Sequence, residues 1–317
     1  MRNFYSNILK DNNKNISKAL RFLKNNKLIA IPTETVYGLC GNAYSNKATR
    51  KIFKIKKRPL SNPLIVHYFN SSEILNDVVV NKNFFKLYKV FCPGPITFVL
   101  KKKKKSLISN FALAKQNTVA IRFPSHKVTR KILKNLSFPL AMPSANISNN
   151  VSPVNSKHVF EEFGKKLKII IDGSDCKIGI ESTVVDLTNK IKILRPGVIT
   201  SSQIRRVIKS KLATVNFSKI SNSPGLFKRH YSPGIPMKLN QKKAQKNCAF
   251  IIFGNRYKKT NNTFNLSEKS NLDEAAKNLY KIFHKIKKLK YKKIYVVKIP
   301  NKGIGVAIND RLLKASN

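Results

Sequence analysis

The chain has 317 residues and is 42% hydrophobic, so it is long enough and apolar enough to bury a core and is not a disordered tail. Lys+Arg number 63 against 14 Asp+Glu, a formal net charge of +49, which makes anionic partners such as nucleotides, phosphates or RNA the natural expectation. Only 12 of the 63 are arginine, the fork-shaped reader of phosphate and carboxylate, and the excess of Lys with Asn and Ile reads as a sequence-wide compositional drift. Function is therefore sought in local clusters.

Periodicity predicts helix 14–26, a short strand ending at Pro32, helix 46–57 stopped at Pro59, and strand 64–68. Helices near 71–77 and 82–91 follow, then strand 96–102 after the Pro93-Gly94-Pro95 turn, strand 118–123, helix 126–135 and strand 139–143. Helix 156–163, strands 167–171, 182–187 and 191–195, and helix 201–210 complete an α/β pattern. The stretch from Ser218 to Pro236 holds five Pro and Gly residues and reads as a linker. Strand 248–253, helix 273–287, strand 293–299 and a helix after Gly305 form a second, smaller α/β unit. The expected division is 12–210, a linker at 211–240, and 241–317.

Cys40, Cys92, Cys176 and Cys248 form no C-x-x-C pair and flank no His at ligand spacing, which argues against a zinc site. No metal-ligating cluster is expected. The opening residues lead into polar sequence rather than a signal peptide, and no apolar run approaches membrane-spanning length. The expectation is a cytoplasmic chain with free thiols and no membrane association.

Five segments carry the polar chemistry. Ile31 to Leu39 places hydroxyls, a carboxylate and Gly38 at a strand end, which suits either a ligand or a capped turn. Lys56-Lys57-Arg58 closes a helix ahead of a strand bearing His67; it suits either a solvated basic helix end or a polyphosphate clamp. Arg122 sits in an otherwise apolar strand, where a guanidinium needs an anion; with so few acids in the chain, a ligand carboxylate is a credible partner. Ser144-Ala145-Asn146-Ile147-Ser148 with Ser152, and Glu181-Ser182-Thr183-Val184 with Arg195-Pro196-Gly197, supply small polar residues after strands.

In order, spacing and residue type these segments, with Pro93 to Thr97, resemble the YrdC-like threonylcarbamoyl-AMP synthases over about residues 12–210. Ser223-Pro224-Gly225, Arg229 to Pro233 and Gly303 to Leu313 are similar to the linker and C-terminal motifs of the two-domain, Sua-type branch. The resemblance implies a twisted mixed sheet around a basic cavity plus a small Rossmann-like C-terminal α/β domain. It implies synthesis of L-threonylcarbamoyladenylate and pyrophosphate from L-threonine, bicarbonate and ATP with Mg2+. Downstream proteins then transfer the threonylcarbamoyl group to tRNA.

Position by position, the resemblance implies a threonine pocket of Thr35, His67, Arg122, Met142 and Ser182, with Arg122 on the amino acid carboxylate. It implies ATP contacts from Arg58, Asn62, Thr118, Ser144, Ser152, Arg195 and Tyr231, with Lys56 and Arg58 as the catalytic phosphate clamp and Asn146 as a further candidate. Tyr231 lies in the linker, which would make the linker a lid. Lys57 stands where the family usually has Gly; a positive φ there would bring it towards the phosphates unless it points outward. Met142 replaces a commonly smaller residue and would narrow the threonine pocket. Two rival readings remain. A non-catalytic double-stranded RNA or tRNA binder rests on overall charge alone, whereas for a synthase the same charge implies weak RNA binding beside the small substrates. A carbamoyl-transfer maturation factor with the same domain would carry the Cys pairs and further domains absent here.

Overall fold

The computed structural model describes residues 5–213, 230–243 and 245–317. In chain order the first part runs β1 (Ile8–Lys10), α1 (Asn13–Lys24), β2 (Ile29–Ile31), β3 (Gly38–Asn42), α2 (Asn46–Lys56), β4 (Ile65–His67), β5 (Val78–Val79), α3 (Lys82–Phe91), β6 (Ile96–Lys102) and β7 (Thr118–Arg122). It continues with α4 (Lys127–Lys134), β8 (Leu140–Ala141), α5 (Ser156–Phe163), β9 (Ile170–Asp172), β10 (Thr183–Asp186), β11 (Lys192–Arg195) and α6 (Ser201–Ile208). Eleven strands form one mixed sheet in the order β1-β9-β2-β3-β8-β4-β7-β6-β10-β11, with β5 on β6. The remaining elements are β12 (Met237–Lys238), β13 (Ala249–Ile252), β14 (Thr263–Asn265), α7 (Leu272–Lys288), β15 (Ile294–Val296) and α8 (Gly305–Ser316). Their four strands pair in parallel in the order β12-β15-β13-β14. The expected α/β class with a large twisted mixed sheet and a small second sheet is what the chain adopts.

The alternation of strand residues decides what each face covers. Ile29, Ile31 and Cys40 pack with Ile16, Ala19 and Leu23 of α1 and Val128, Ile132 and Leu133 of α4. Ala30 and Leu39 turn the other way, into the main core with Ile52 and Phe53 of α2. In β6 and β7, Phe98, Val119 and Ile121 join Phe84 and Leu87 of α3 in that same core. Their neighbours Val99 and Ala120 form a separate small apolar floor with Ile65, Val184 and Leu194. That floor is the face on which the site is built.

Several expectations need correction. The expected helix at 71–77 is one 3-10 turn, Glu73–Asn76. The 31–39 segment is not all turn, because β3 begins at Gly38 and joins β2 to β8 within the sheet. Strands β1, β5, β12 and β14 have no counterpart among the predicted elements, and β12 lies upstream of residue 241. Of the linker motif, Ser223, Pro224, Gly225 and Arg229 lie outside the described residues, whereas His230 to Pro233 are described.

Candidate active site

Sheet pairing sets the site's first row. His67 of β4 is the register partner of Arg122 in β7, and Arg122 is that of Thr97 in β6. Register partners share a face, so the three side chains stand abreast at one end of the floor. Thr118 begins β7 four residues earlier, about 13 Å away along the same face. The two expected binding regions thus share one strand.

Arg58, Arg122 and Arg195 open onto one cavity of about 570 Å³, including its mouth. His67, Met142, Ser144, Ser182 and Tyr231 also line it. The other expected residues stand behind that wall. Thr35 is buried and bonded to Thr33 (2.8 Å between hydroxyls), and Thr33 is the one that faces the cavity. Because the Thr33 hydroxyl donates to the Val36 carbonyl at 2.6 Å, the proton between the two hydroxyls belongs to Thr35. Asn62 braces Arg58: its Oδ1 accepts from Nη2 at 2.5 Å and its carbonyl from Nε at 2.9 Å, while the Pro63 carbonyl also accepts from Nη2 at 2.8 Å. Ser152 donates to Glu181 Oε1 at 2.6 Å.

The three consecutive cations diverge at the end of α2. Lys57 is the helix cap in the left-handed region at φ 51°, and its side chain is exposed, lining a separate surface groove. This turn sends Lys56 inward and Arg58 to the cavity. Lys56 is buried, and its ammonium donates to the carbonyls of Ser144, at 2.5 Å, and Asn146. Burial, with the like charge of Arg58 adding, pushes its pKa well below the ordinary lysine value despite Glu162 nearby. Lys56 therefore braces the Ser144–Asn146 backbone, and its ammonium is already committed there; this corrects the expectation that it stands beside Arg58 facing the phosphates.

Arg122 also differs from expectation, because it has a protein carboxylate. Its Nη2 donates to Glu34 Oε1 at 2.7 Å, and Glu34 Oε2 accepts from the Ser125 backbone N–H at 3.1 Å. Burial alone would raise the Glu34 pKa, but the guanidinium's charge and hydrogen bond leave it below the usual carboxylate value. The Nε of Arg122 remains buried with no partner in the protein. That unmatched donor is the feature that calls for a second anion. Neighbouring His67 donates from Nδ1 to the Ile65 carbonyl at 3.2 Å, and burial with Arg122's charge holds its pKa well below 6.5. It is a neutral imidazole.

At the opposite wall, Arg195 donates from Nε to the Ser182 carbonyl and from Nη2 to Ser182 Oγ, both at 3.1 Å. Ser182 Oγ is also 2.8 Å from Thr97 Oγ1, which ties this wall to the first row. Tyr231 is fully buried, its φ is +62°, and its hydroxyl has no partner. A left-handed backbone is costly for a tyrosine and persists when surrounding contacts fix it. Among the described residues, neither Arg58 nor Arg195 has a carboxylate at salt-bridge distance. Although Arg58 keeps some exposure at the cavity, desolvation, opposed by Tyr231 and joined by Arg195's like charge, brings its pKa down to about 9.

A cationic cavity with unmatched donors on a mixed sheet defines a class of protein that binds an anionic small molecule beside the first-row residues. Two family models cover the chain: the Sua5–YciO–YrdC model, described as telomere recombination, over residues 21–197, and the threonylcarbamoyl-AMP synthase C-terminal domain over 199–317. The chain belongs to the Sua5–YciO–YrdC family. It is 34% identical to the threonylcarbamoyl-AMP synthase of Pyrococcus abyssi, over 94% of this chain and 93% of the relative. It is 33% identical to that of Bacillus subtilis, over 97% and 94%. The crystal structure of Pyrococcus abyssi Sua5 complexed with L-threonine superimposes with a TM-score of 0.87 at 32% identity, covering 95% of this chain and 94% of that one.

Three contributors, Thr33, Glu34 and Arg311, carry no individual signal in the sequence: the first two lie within the polar 31–39 segment and the third within the C-terminal motif. Only Glu34 could have been anticipated, as the acid nearest in type and burial to the lone strand arginine.

Proposed function

We propose that this chain is an L-threonylcarbamoyladenylate synthase, a nucleotidyltransferase that joins L-threonine, bicarbonate and ATP, releases pyrophosphate and so supplies tRNA threonylcarbamoyladenosine modification. The observation that carries the reading is the convergence of the Arg58, Arg122 and Arg195 side chains on one cavity. The substrates are anions that repel one another, and bringing them together requires fixed positive charge in a partly dry site. The names and coverage of the relatives support the same reading.

Threonine's carboxylate would meet the free Nε edge of Arg122, opposite the edge held by Glu34. Thr33, Thr35, His67, Met142 and Ser182 would surround the amino acid. Gly38 packs directly against Met142, where a Cβ would stand 2.3 Å from Met142 Cγ, so glycine at this position is what lets Met142 sit against the pocket wall. ATP would lie along Arg58, Ser144, Arg195 and Tyr231, with Asn62, Ser152 and Thr118 in support. Magnesium enters as part of the metal–nucleotide substrate; the wall's guanidiniums and hydroxyls suit phosphate oxygens rather than a cation. The neutral threonine amine attacks the bicarbonate carbon, water leaves, and the resulting N-carboxylate displaces pyrophosphate from the α-phosphorus. Arg58 and Arg195 offset the charge that builds on the phosphates.

A cytoplasmic location, with separate transfer proteins downstream, is consistent with ATP as substrate and tRNA as final acceptor. Among the described residues no helix is long and apolar enough to cross a membrane. A purely RNA-binding role would leave the inward-facing, unmatched donors of Arg122 and Tyr231 without a purpose.

The test is incubation of purified protein with ATP, magnesium, bicarbonate and labelled threonine. Labelled adenylate and pyrophosphate should form together, and omission of any one component should stop both. ATP-independent RNA binding with no adenylate would overturn the reading.

A further inference from the structure

We propose that Arg311, in the last helix of the chain, is a positioning residue for the nucleotide side of the cavity, acting through Glu181 and Tyr231. This rests on the synthase reading above, because it assigns the nucleotide to that wall.

Arg311 is 0% exposed and does not itself face the cavity. Its guanidinium reaches several points of the nucleotide wall. Nε donates to Glu181 Oε2 at 2.9 Å, and Nη1 donates to the Pro196 carbonyl at 2.9 Å. The guanidinium carbon lies 5.2 Å from the centre of the Tyr231 ring. Nη1 also donates to Asp310 Oδ2 at 2.7 Å, which balances the charge. Glu181 directly precedes Ser182, the residue that holds Arg195, and Pro196 directly follows Arg195. One side chain from α8 thus fixes both flanks of the Arg195 contact and the underside of the Tyr231 ring.

The same carboxylate collects a second group from the C-terminal sheet unit. Tyr280 of α7 donates to Glu181 Oε2 at 3.0 Å, and its ring stacks on Tyr231 with centroids 5.9 Å apart. Close approach here depends on Gly179, at φ +84°, where a Cβ would stand 2.6 Å from the Lys277 backbone of α7. Burial would raise the Glu181 pKa, yet Arg311 and Arg195 bring it down to about 2. It is an anion that pairs with Arg311 of the C-terminal unit and lies in the field of Arg195, which bonds to the adjoining Ser182.

A merely structural role would make Arg311 a tie between the two sheets and nothing more. The positioning role makes a sharper demand, because the threonine row of His67, Arg122 and Thr97 makes no contact with Arg311 among the described residues. The threonine row is reached only at one remove, through the Ser182–Thr97 contact, so loss of Arg311 geometry should weaken ATP much more than threonine.

The experiment uses the full chain with Arg311→Lys, which keeps the charge and loses the fork. Calorimetric threonine affinity without nucleotide should stay within about twofold, while KM for ATP rises about tenfold or more. Tyr280→Phe removes one hydroxyl, remains informative if Arg311→Lys fails to fold, and should shift KM for ATP in the same direction by about two- to fivefold. Unchanged KM for ATP in a folded Arg311→Lys protein, unchanged KM in Tyr280→Phe, or equal weakening of both substrates would overturn the proposal. Wild-type protein that forms no adenylate would instead overturn the synthase reading.

Discussion

His284 of α7 stacks on His158 of α5, with ring centroids 3.7 Å apart and planes 16° from parallel. The pair sits in the seam between the large sheet's helices and the C-terminal unit, and His284 Nε2 donates to the Ser152 carbonyl at 3.2 Å. Burial, then the neighbouring His284 ring and lysines, lowers the pKa of His158 to about 3, and burial lowers that of His284 to about 4 against the opposing pull of the Ser152 carbonyl, Glu161 and Glu162. Both rings are neutral in the fold and gain protons on unfolding below about pH 6.5. Stability is thus complete above that pH and falls as pH drops towards 4. At pH 5 each ring lowers stability by about 2 kcal/mol. Thermal melts should show Tm falling by several degrees from pH 7 to pH 5, with a shallower fall in His284→Gln. A flat wild-type profile would contradict this.

Arg58 is only partly buried, and its bonds go to its own loop, so its removal should cost little stability. Arg58→Ala should nevertheless reduce threonine-dependent pyrophosphate release by about 100-fold or more, the scale expected for losing charge-assisted contacts to phosphate. Near-normal release would remove Arg58 from the phosphate site.

Glu34→Gln leaves Arg122 buried without its counter-charge and should destabilise the free protein by about 3 kcal/mol. A bound carboxylate would restore the missing negative charge. Saturating threonine should therefore raise Tm more in Glu34→Gln than in the wild type. Equal shifts in the two proteins would mean that threonine does not approach Arg122.

Lys56→Met tests brace against clamp. Two buried carbonyls, on Ser144 and Asn146, lose their donor, so urea unfolding should show a loss of about 2 kcal/mol or more alongside reduced turnover. Reduced turnover at unchanged stability would instead place the ammonium on substrate.

Much of the large sheet was legible because strands such as Ile96–Lys102 and Thr118–Arg122 carry β-branched runs bounded by proline turns or charge. Strand β3 was not, because Gly38, Gly41 and Asn42 have poor strand propensity. Its glycines answer to packing: a Cβ on Gly41 would stand 2.7 Å from the Leu28 side chain. Strands of two or three residues, such as β1 and β12, are too short to show a period. The site's basic residues were legible as types but not as directions. Lys56, Lys57 and Arg58 are adjacent in sequence, yet one left-handed residue distributes them to the interior, the surface and the cavity. The Arg311–Glu181 pair, 130 residues apart, leaves no local trace.

The first row of the site has a parity. His67, Arg122 and Thr97 stand abreast only because three strands keep one register. A single residue inserted within β7 would turn the guanidinium into the aromatic core and bring Ile121 up in its place. A two-residue insertion would return Arg122 to the correct side, about 7 Å out of line. Length changes in this molecule are therefore confined to its loops, and these strands can vary in residue type but not in number.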